Sequence, residues 1–445
     1  MKSRFTDEPS YSQISKLYLP LALSWLLMLM DVPVLNAFLA RAPEAELSLA
    51  AFGIANSLIF MLEAPIYMML DLSIALSGSR ASFKTLRRFY IAVGLGLTAL
   101  GVVFLYTPLW QVLLQGLMGI PASIAPVAAS TLRILMWWVF PIGWRRVYQG
   151  VLVRDGRTPI IGMGTAIRLA VMSVGMLVGQ ALTTIPGAYL GALAAGAGVL
   201  VETALMHWAA QSSIAQRPAE NSADDDPLTY GALWSLFVPL AVTSVLFQLI
   251  PPLISAGVAS APNAELSLAA WPVAWGLVTV FWAPTMGLRQ LSVALAQDGA
   301  SWGKVSRFVA LAGVALTGAL GVVSLTPLLD VVLAGLLGVS DSVAILASPA
   351  VRIMLFLPLG YSLHSLYGGL LITQSHPSIM RTAKVVNLLI VGIILWAGLL
   401  YGQVHGATLG ALAMTAGTLM EAAWLWFFSR AVVQTLRSPV SSPAS

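Results

Sequence analysis

The chain has 445 residues, 58% of them hydrophobic and 9% charged, with a net charge of +5 and no cysteine. This balance excludes a soluble globular protein, in which about a quarter of the residues would be charged. It also excludes a disulfide framework, a thiolate metal site and a thiol nucleophile.

The N-terminal MKSRFTDEPSYSQISK is polar, and the apolar run behind it has no small-residue cleavage pattern. It therefore reads as a first membrane span rather than a removed leader. Runs of about twenty apolar residues, enough to cross roughly 30 Å of hydrocarbon as helix, then recur along the chain. They predict helices over 15–39, 47–77, 87–106, 122–150, 159–182 and 186–210, and again over 233–258, 265–295, 305–325, 342–371, 378–400 and 404–429. The runs lack polar alternation and are too long for barrel strands. The expected fold class is all-α integral membrane, with twelve transmembrane helices in two six-helix lobes.

The heptad AELSLAA occurs at 45–51 and at 264–270, an offset of 219 residues. The same offset pairs Tyr11 with Tyr230, Pro20 with Pro239, Pro33 with Pro252, Pro65 with Pro284, Arg88 with Arg307 and Tyr148 with Tyr367. Prolines and charges that repeat at one constant spacing mark a tandem duplication, joined at QRPAENSADDDP. This gives an N-lobe over 1–215, a cytoplasmic linker over 216–229, a C-lobe over 230–435 and a disordered tail over 436–445. Six spans per half is even, so the halves share one orientation and form a parallel repeat.

With the N-terminus in the cytoplasm, eighteen of the 23 Lys and Arg residues face that side, Arg145 and Arg146 among them. Only Arg41 faces out, while Arg133, Arg168, Arg289 and Arg352 lie within spans. The asymmetry places both termini in the cytoplasm; the expected location is a bacterial inner membrane. The basic excess is an orientation signal; charges scattered over short loops do not make a nucleic-acid surface.

Charges within the spans need a partner or a watery cavity. Glu202 with Glu421, and Arg133 with Arg352, are kept in both halves, which points to packing and internal charge satisfaction; the arginines could instead build an anion site. Arg168 falls at the depth of Glu202 and joins this structural set. Asp31, Glu63 and Asp71 are one-sided, facing Ile250, Trp282 and Gln290 in the repeat. Asp31 lies two residues before Pro33, whose ring loosens the helix. A carboxyl there suits reversible protonation, or it is simply hydrogen-bonded within its lobe. Arg289 is also unmatched, and Asp71 with Arg289 form a candidate cytoplasmic gate. The four histidines show no metal spacing and no phosphate loop is present, so no metal, cofactor or enzyme chemistry is expected.

The segment LPLALSWLLMLMDVPVLNAFLARAPEAELSLAAFGIANSL resembles the start of the multidrug and toxic compound extrusion family, part of the multidrug, oligosaccharidyl-lipid and polysaccharide exporter superfamily. FGIANSLIFMLEAP at 52–65 and VHGATLGALAMTAG at 404–417 look like its progressive ankylosis protein branch. The resemblance implies two six-helix lobes working by alternating access, with Asp31 matching the aspartate that binds protons or sodium. The branch implies export of small anions of the citrate, nucleotide or pyrophosphate class. Extrusion of drug-like cations and flipping of a lipid-linked molecule remain open beside it. The expected cavity residues are Asn36, Asn56, Glu63, Tyr67 and Gln248. The expected partners are membrane lipid and a small-molecule substrate; no protein partner can be read from the chain.

Overall fold

The computed structural model describes residues 10–219, 228–295, 299–373 and 377–437. The extreme N-terminus, the linker over 220–227, the tail from 438 onwards and His376 lie outside the described residues. Among the described residues there is no strand; eleven helices are long and apolar enough to cross a membrane, and a bent pair makes a twelfth span. The protein is an integral membrane protein. In chain order the spans are α1 (Tyr11–Leu39), α2 (Ala45–Leu76), α3 (Arg80–Tyr106), α4 (Ala125–Met136 with Val139–Arg154), α5 (Thr158–Leu182) and α6 (Gly187–Ala215). The second set is α7 (Tyr230–Ala259), α8 (Ala264–Val293), α9 (Ser301–Leu325), α10 (Asp341–Leu371), α11 (Ser378–Tyr401) and α12 (Gly406–Gln434).

Proline sets the breaks. Pro33 has no N–H for the Leu29 carbonyl, and α1 is interrupted between Leu29 and Asp31. Pro252 does the same in α7, which is interrupted between Gln248 and Ile250, the position equivalent to Asp31. Pro141 leaves the Trp137 carbonyl without its helical donor, and α4 bends there by 41°. The spans are longer than their apolar runs at several polar ends. α3 starts at Arg80 rather than near 87, because the Ser79 hydroxyl accepts from Ser82 N and caps the extra turns. Between α3 and α4 the chain forms a π-helix, Val112–Leu117, and Val331–Leu337 repeats it between α9 and α10. Both segments fall in the intervals between the helices that the apolar runs predict.

The packing divides the helices into two compact units. The first comprises Val34–Pro272 with Leu337–Val343. Here α2 packs on α3, α4, α6 and α7, and α5 on α6. The Ser244 hydroxyl of α7 donates to the Ala64 carbonyl of α2 at 2.7 Å. A Cβ at Gly150 would stand 2.8 Å from the Leu70 carbonyl oxygen, so α4 lies backbone to backbone on α2. The second unit comprises Met1–Pro33, Val273–Leu336 and Ala344–Ser445. There the first half of α1 packs on the second half of α8 and on α9, while α12 packs on α10 and α11. Gly369, 219 residues after Gly150, repeats the close approach, with the Arg289 carbonyl oxygen 3.1 Å from its built Cβ.

Candidate functional site

Each unit holds a buried glutamate at the same repeat position, Glu202 in the first and Glu421 in the second. In the first, Glu202 of α6 is 1% exposed and receives three side chains. Arg145 of α4 pairs with Oε2, Arg168 Nη1 of α5 lies 3.3 Å from the same oxygen, and Gln149 Nε2 donates to Oε1 at 3.2 Å. In the second, Glu421 of α12 receives Lys384 Nζ at 2.8 Å, His364 Nε2 at 3.2 Å and Asn387 Nδ2. The repeat aligns Arg145 with His364 and Arg168 with Asn387. Two permanent cations therefore hold Glu202, whereas Glu421 depends on one lysine and a titratable imidazole. A carboxylate at this depth is tolerable only when so neutralised and hydrogen-bonded.

The repeated arginines Arg133 and Arg352 close helix ends. Arg133 Nε and Nη2 donate to the Leu105 carbonyl at 3.1 and 3.0 Å, at the end of α3. Arg352 Nε donates to the Ser324 carbonyl at 3.2 Å, the equivalent place in α9. A cation at a helix C-terminus satisfies unpaired carbonyls and the helix dipole together.

The one-sided residues form a different group. Glu63, Tyr67 and Asp71 stand four residues apart and share one face of α2. Glu63 is fully buried and accepts from the Tyr67 hydroxyl at 2.9 Å, while Asp71 is exposed. The Arg146 guanidinium lies over the Tyr67 ring, 5.4 Å from its centroid, and Nη1 donates to Gln149 Oε1 at 3.3 Å. Arg146 makes no ion pair among the described residues. Arg289 in the second unit is its analogue. It is partly accessible, has no ion pair among the described residues, and rests Nη2 3.8 Å from the Met286 sulfur.

The remaining candidates are placed as follows. Asp31 is half-buried at the break in α1. Asn36 is buried and donates through Nδ2 to the Pro272 carbonyl at 2.6 Å. Asn56 is half-buried on α2, and Gln248 is half-buried beside the break in α7. Asp71 and Arg289 belong to different units. Two assignments from the sequence are corrected. Arg145 and Arg146, counted as facing the cytoplasm, lie within α4 with four residues or more of helix beyond them, because the helix continues to Arg154 and Glu202 draws Arg145 inward. Arg145, Arg146, Gln149, His364, Lys384 and Asn387 were missed as site residues. The signal was present: Arg145 and His364 occupy one repeat position, as do Arg168 and Asn387, just as Glu202 and Glu421 do.

The AELSLAA segments open α2 and α8 behind left-handed residues, Glu44 and Asn263, at φ 51° and 54°. Glu46 accepts from Ser340 Oγ at 2.9 Å and Ser342 Oγ at 2.6 Å; Glu265 accepts from Ser123 Oγ. Together with Glu44 they border a cavity of about 510 Å³. Among the described residues no cluster of three or more His, Asp or Glu side chains is arranged for a metal ion.

Compared by sequence, the chain matches no protein-family model and no curated protein. Compared by fold, it is similar to solved transporters. An inward-facing multidrug resistance MATE family transporter of the MOP superfamily superposes with a TM-score of 0.69 at 15% identity, over 95% of this chain and 99% of that one. The lipid II flippase MurJ gives 0.68 at 14% identity, over 93% and 88%. A MOP superfamily transporter from Pyrococcus furiosus, described by a reverse polarity of its binding pocket that suggests a different function, gives 0.61 at 14% identity, over 96% and 97%. The chain has the two-lobed MATE transporter fold.

Proposed function

We propose that this protein is a secondary transporter that exports small organic anions of the citrate, nucleotide or pyrophosphate class across a bacterial inner membrane, by alternating access, with both termini in the cytoplasm. The observation that carries the reading is the pair of arginines without ion pairs, Arg146 and Arg289, one in each unit and both within spans. A guanidinium held in a span without a carboxylate is a site prepared for an anion. The wider balance supports it. The arginines seen in sequence were Arg133, Arg168, Arg289 and Arg352, against Asp31, Glu63, Asp71, Glu202 and Glu421. The fold adds Arg145, Arg146 and Lys384 to the interior cations, which turns a slightly acidic balance basic. In the Pyrococcus neighbour a reverse polarity of the binding pocket suggests a different function, so a basic interior is a reading this fold has room for. Thermal unfolding of the purified protein with citrate, nucleotides, pyrophosphate and cationic dyes tests the class. A ligand at 100 times its Kd adds about 2.7 kcal/mol. The anions are expected to raise Tm, and stabilisation by the dyes alone overturns the anion reading.

Asp31 is the proposed site of a coupling ion, a proton or sodium. It is a carboxylate at an interrupted helix, where freed backbone carbonyls are at hand. Asp31→Asn is expected to alter the pH or sodium dependence of transport. Unchanged dependence on both removes the role.

A further inference from the structure

The repeat isolates a set of polar side chains that only the first half carries. Glu63, Tyr67, Arg146 and Gln149 align with Trp282, Met286, Ser365 and Gly368. The shared clusters at Glu202 and Glu421 meet what both halves need in order to fold, so this set answers a different demand.

Its geometry is an acid and a cation held apart. Glu63 Oε2 has the Tyr67 hydroxyl, but Oε1 is buried with no hydrogen-bond partner among the described residues. The Trp138 indole nitrogen lies beside the carboxyl, also buried and also without a normal hydrogen bond. No cation stands within ion-pair distance of Glu63 among the described residues. An ionised carboxylate so placed would be an uncompensated buried charge, whereas the neutral acid fits. Arg146 is separated from it by one aromatic ring.

The other groups facing Glu63 are committed elsewhere. Arg145 is held by Glu202, which Arg168 and Gln149 also occupy. Tyr90 of α3 donates to the Phe140 carbonyl. The α7 span brings no charged residue. Among the described residues facing Glu63, Arg146 is therefore the cation able to exchange partners. A sodium ion is disfavoured beside two guanidinium groups.

We propose that Glu63 is a proton-binding site that shares Arg146 with the transported anion: ionised Glu63 and the anion compete for this guanidinium, so the anion binds together with a proton. The proposal rests on the anion-transport reading above. With an anion on Arg146, Glu63 keeps its proton. When the anion leaves, Arg146 turns to Glu63, the carboxyl O–H bond breaks, its electron pair stays on the oxygen, and the proton passes to water. Asp71, two turns along the same face and exposed, marks the way out.

Infrared difference spectroscopy of the purified full-length protein, stepped in pH without substrate, reads the carboxylic acid directly. Wild type is expected to show a protonated carboxyl band near neutral pH that Glu63→Gln loses. In Arg146→Gln the band should persist to more alkaline pH, and citrate or pyrophosphate should do the same to wild type. Absence of a Glu63-dependent band, or identical titration in Arg146→Gln, overturns the proposal. Should Glu63→Gln fail to fold, Tyr67→Phe keeps the carboxyl and removes one hydrogen bond; its band should move to higher frequency, and an unmoved band overturns the assignment. Anion flux in liposomes separates the two claims. A band responsive to Arg146 without any anion flux sinks the transport reading and leaves the proton site standing; intact flux with a band that no anion moves sinks the competition.

Discussion

Glu202→Gln is expected to destabilise the protein by about 3–5 kcal/mol, the cost of leaving a buried ion pair half empty. Two guanidinium groups, Arg145 and Arg168, converge on one carboxylate that is 1% exposed. Neither arginine can shed its charge, so both would lose the carboxylate on which they converge. The equivalent substitution, Glu421→Gln, should cost less, about 1–3 kcal/mol. There the imidazole of His364 can turn neutral, Asn387 carries no charge, and Lys384 keeps 20% of its side chain accessible. Thermal unfolding of the two variants in one detergent checks the order. Equal losses, or a greater loss for Glu421→Gln, would show that the Glu202 cluster is not the tighter of the two.

The second large effect falls on activity. Arg146→Gln and Arg289→Gln should each weaken anion binding by about 2–5 kcal/mol, the usual cost of truncating one side of a buried charge pair. At about 1.4 kcal/mol per tenfold, that is roughly thirtyfold or more in affinity. Folding should be spared, because neither arginine neutralises a carboxylate within its own unit among the described residues. Arg133→Gln is the control. It caps the α3 carbonyl at Leu105 and should change stability without changing anion affinity. Binding measured by the anion-induced rise in Tm distinguishes them. Unchanged affinity in both Arg146→Gln and Arg289→Gln would contradict the site.

Much of the architecture was legible in the residues because membrane spans announce themselves by length and apolarity. The duplication was legible because paired prolines do structural work: Pro33 and Pro252 break α1 and α7 at equivalent places. Helix ends were less visible, since hydropathy stops where capping and polar turns begin, as at Ser79. The π-helices at 112–117 and 331–337 left no sequence mark beyond apolar residues between two predicted spans. For the site, the repeat separated the one-sided Glu63, Tyr67 and Asp71 from the shared charges. It did not show that Arg146 stands over Tyr67, because Arg145 and Arg146 lie near the predicted cytoplasmic end of a span and counted as charges facing the cytoplasm. A double arginine near a span end reads as topology until a buried carboxylate from another helix claims one of the two.

The most direct test of anion transport is flux of labelled citrate, nucleotide and pyrophosphate into liposomes holding the purified protein, with a cationic dye in parallel. Saturable flux of at least one anion that Arg146→Gln and Arg289→Gln abolish, with no dye flux, is the predicted result. Dye flux alone, indifferent to both arginines, would contradict it.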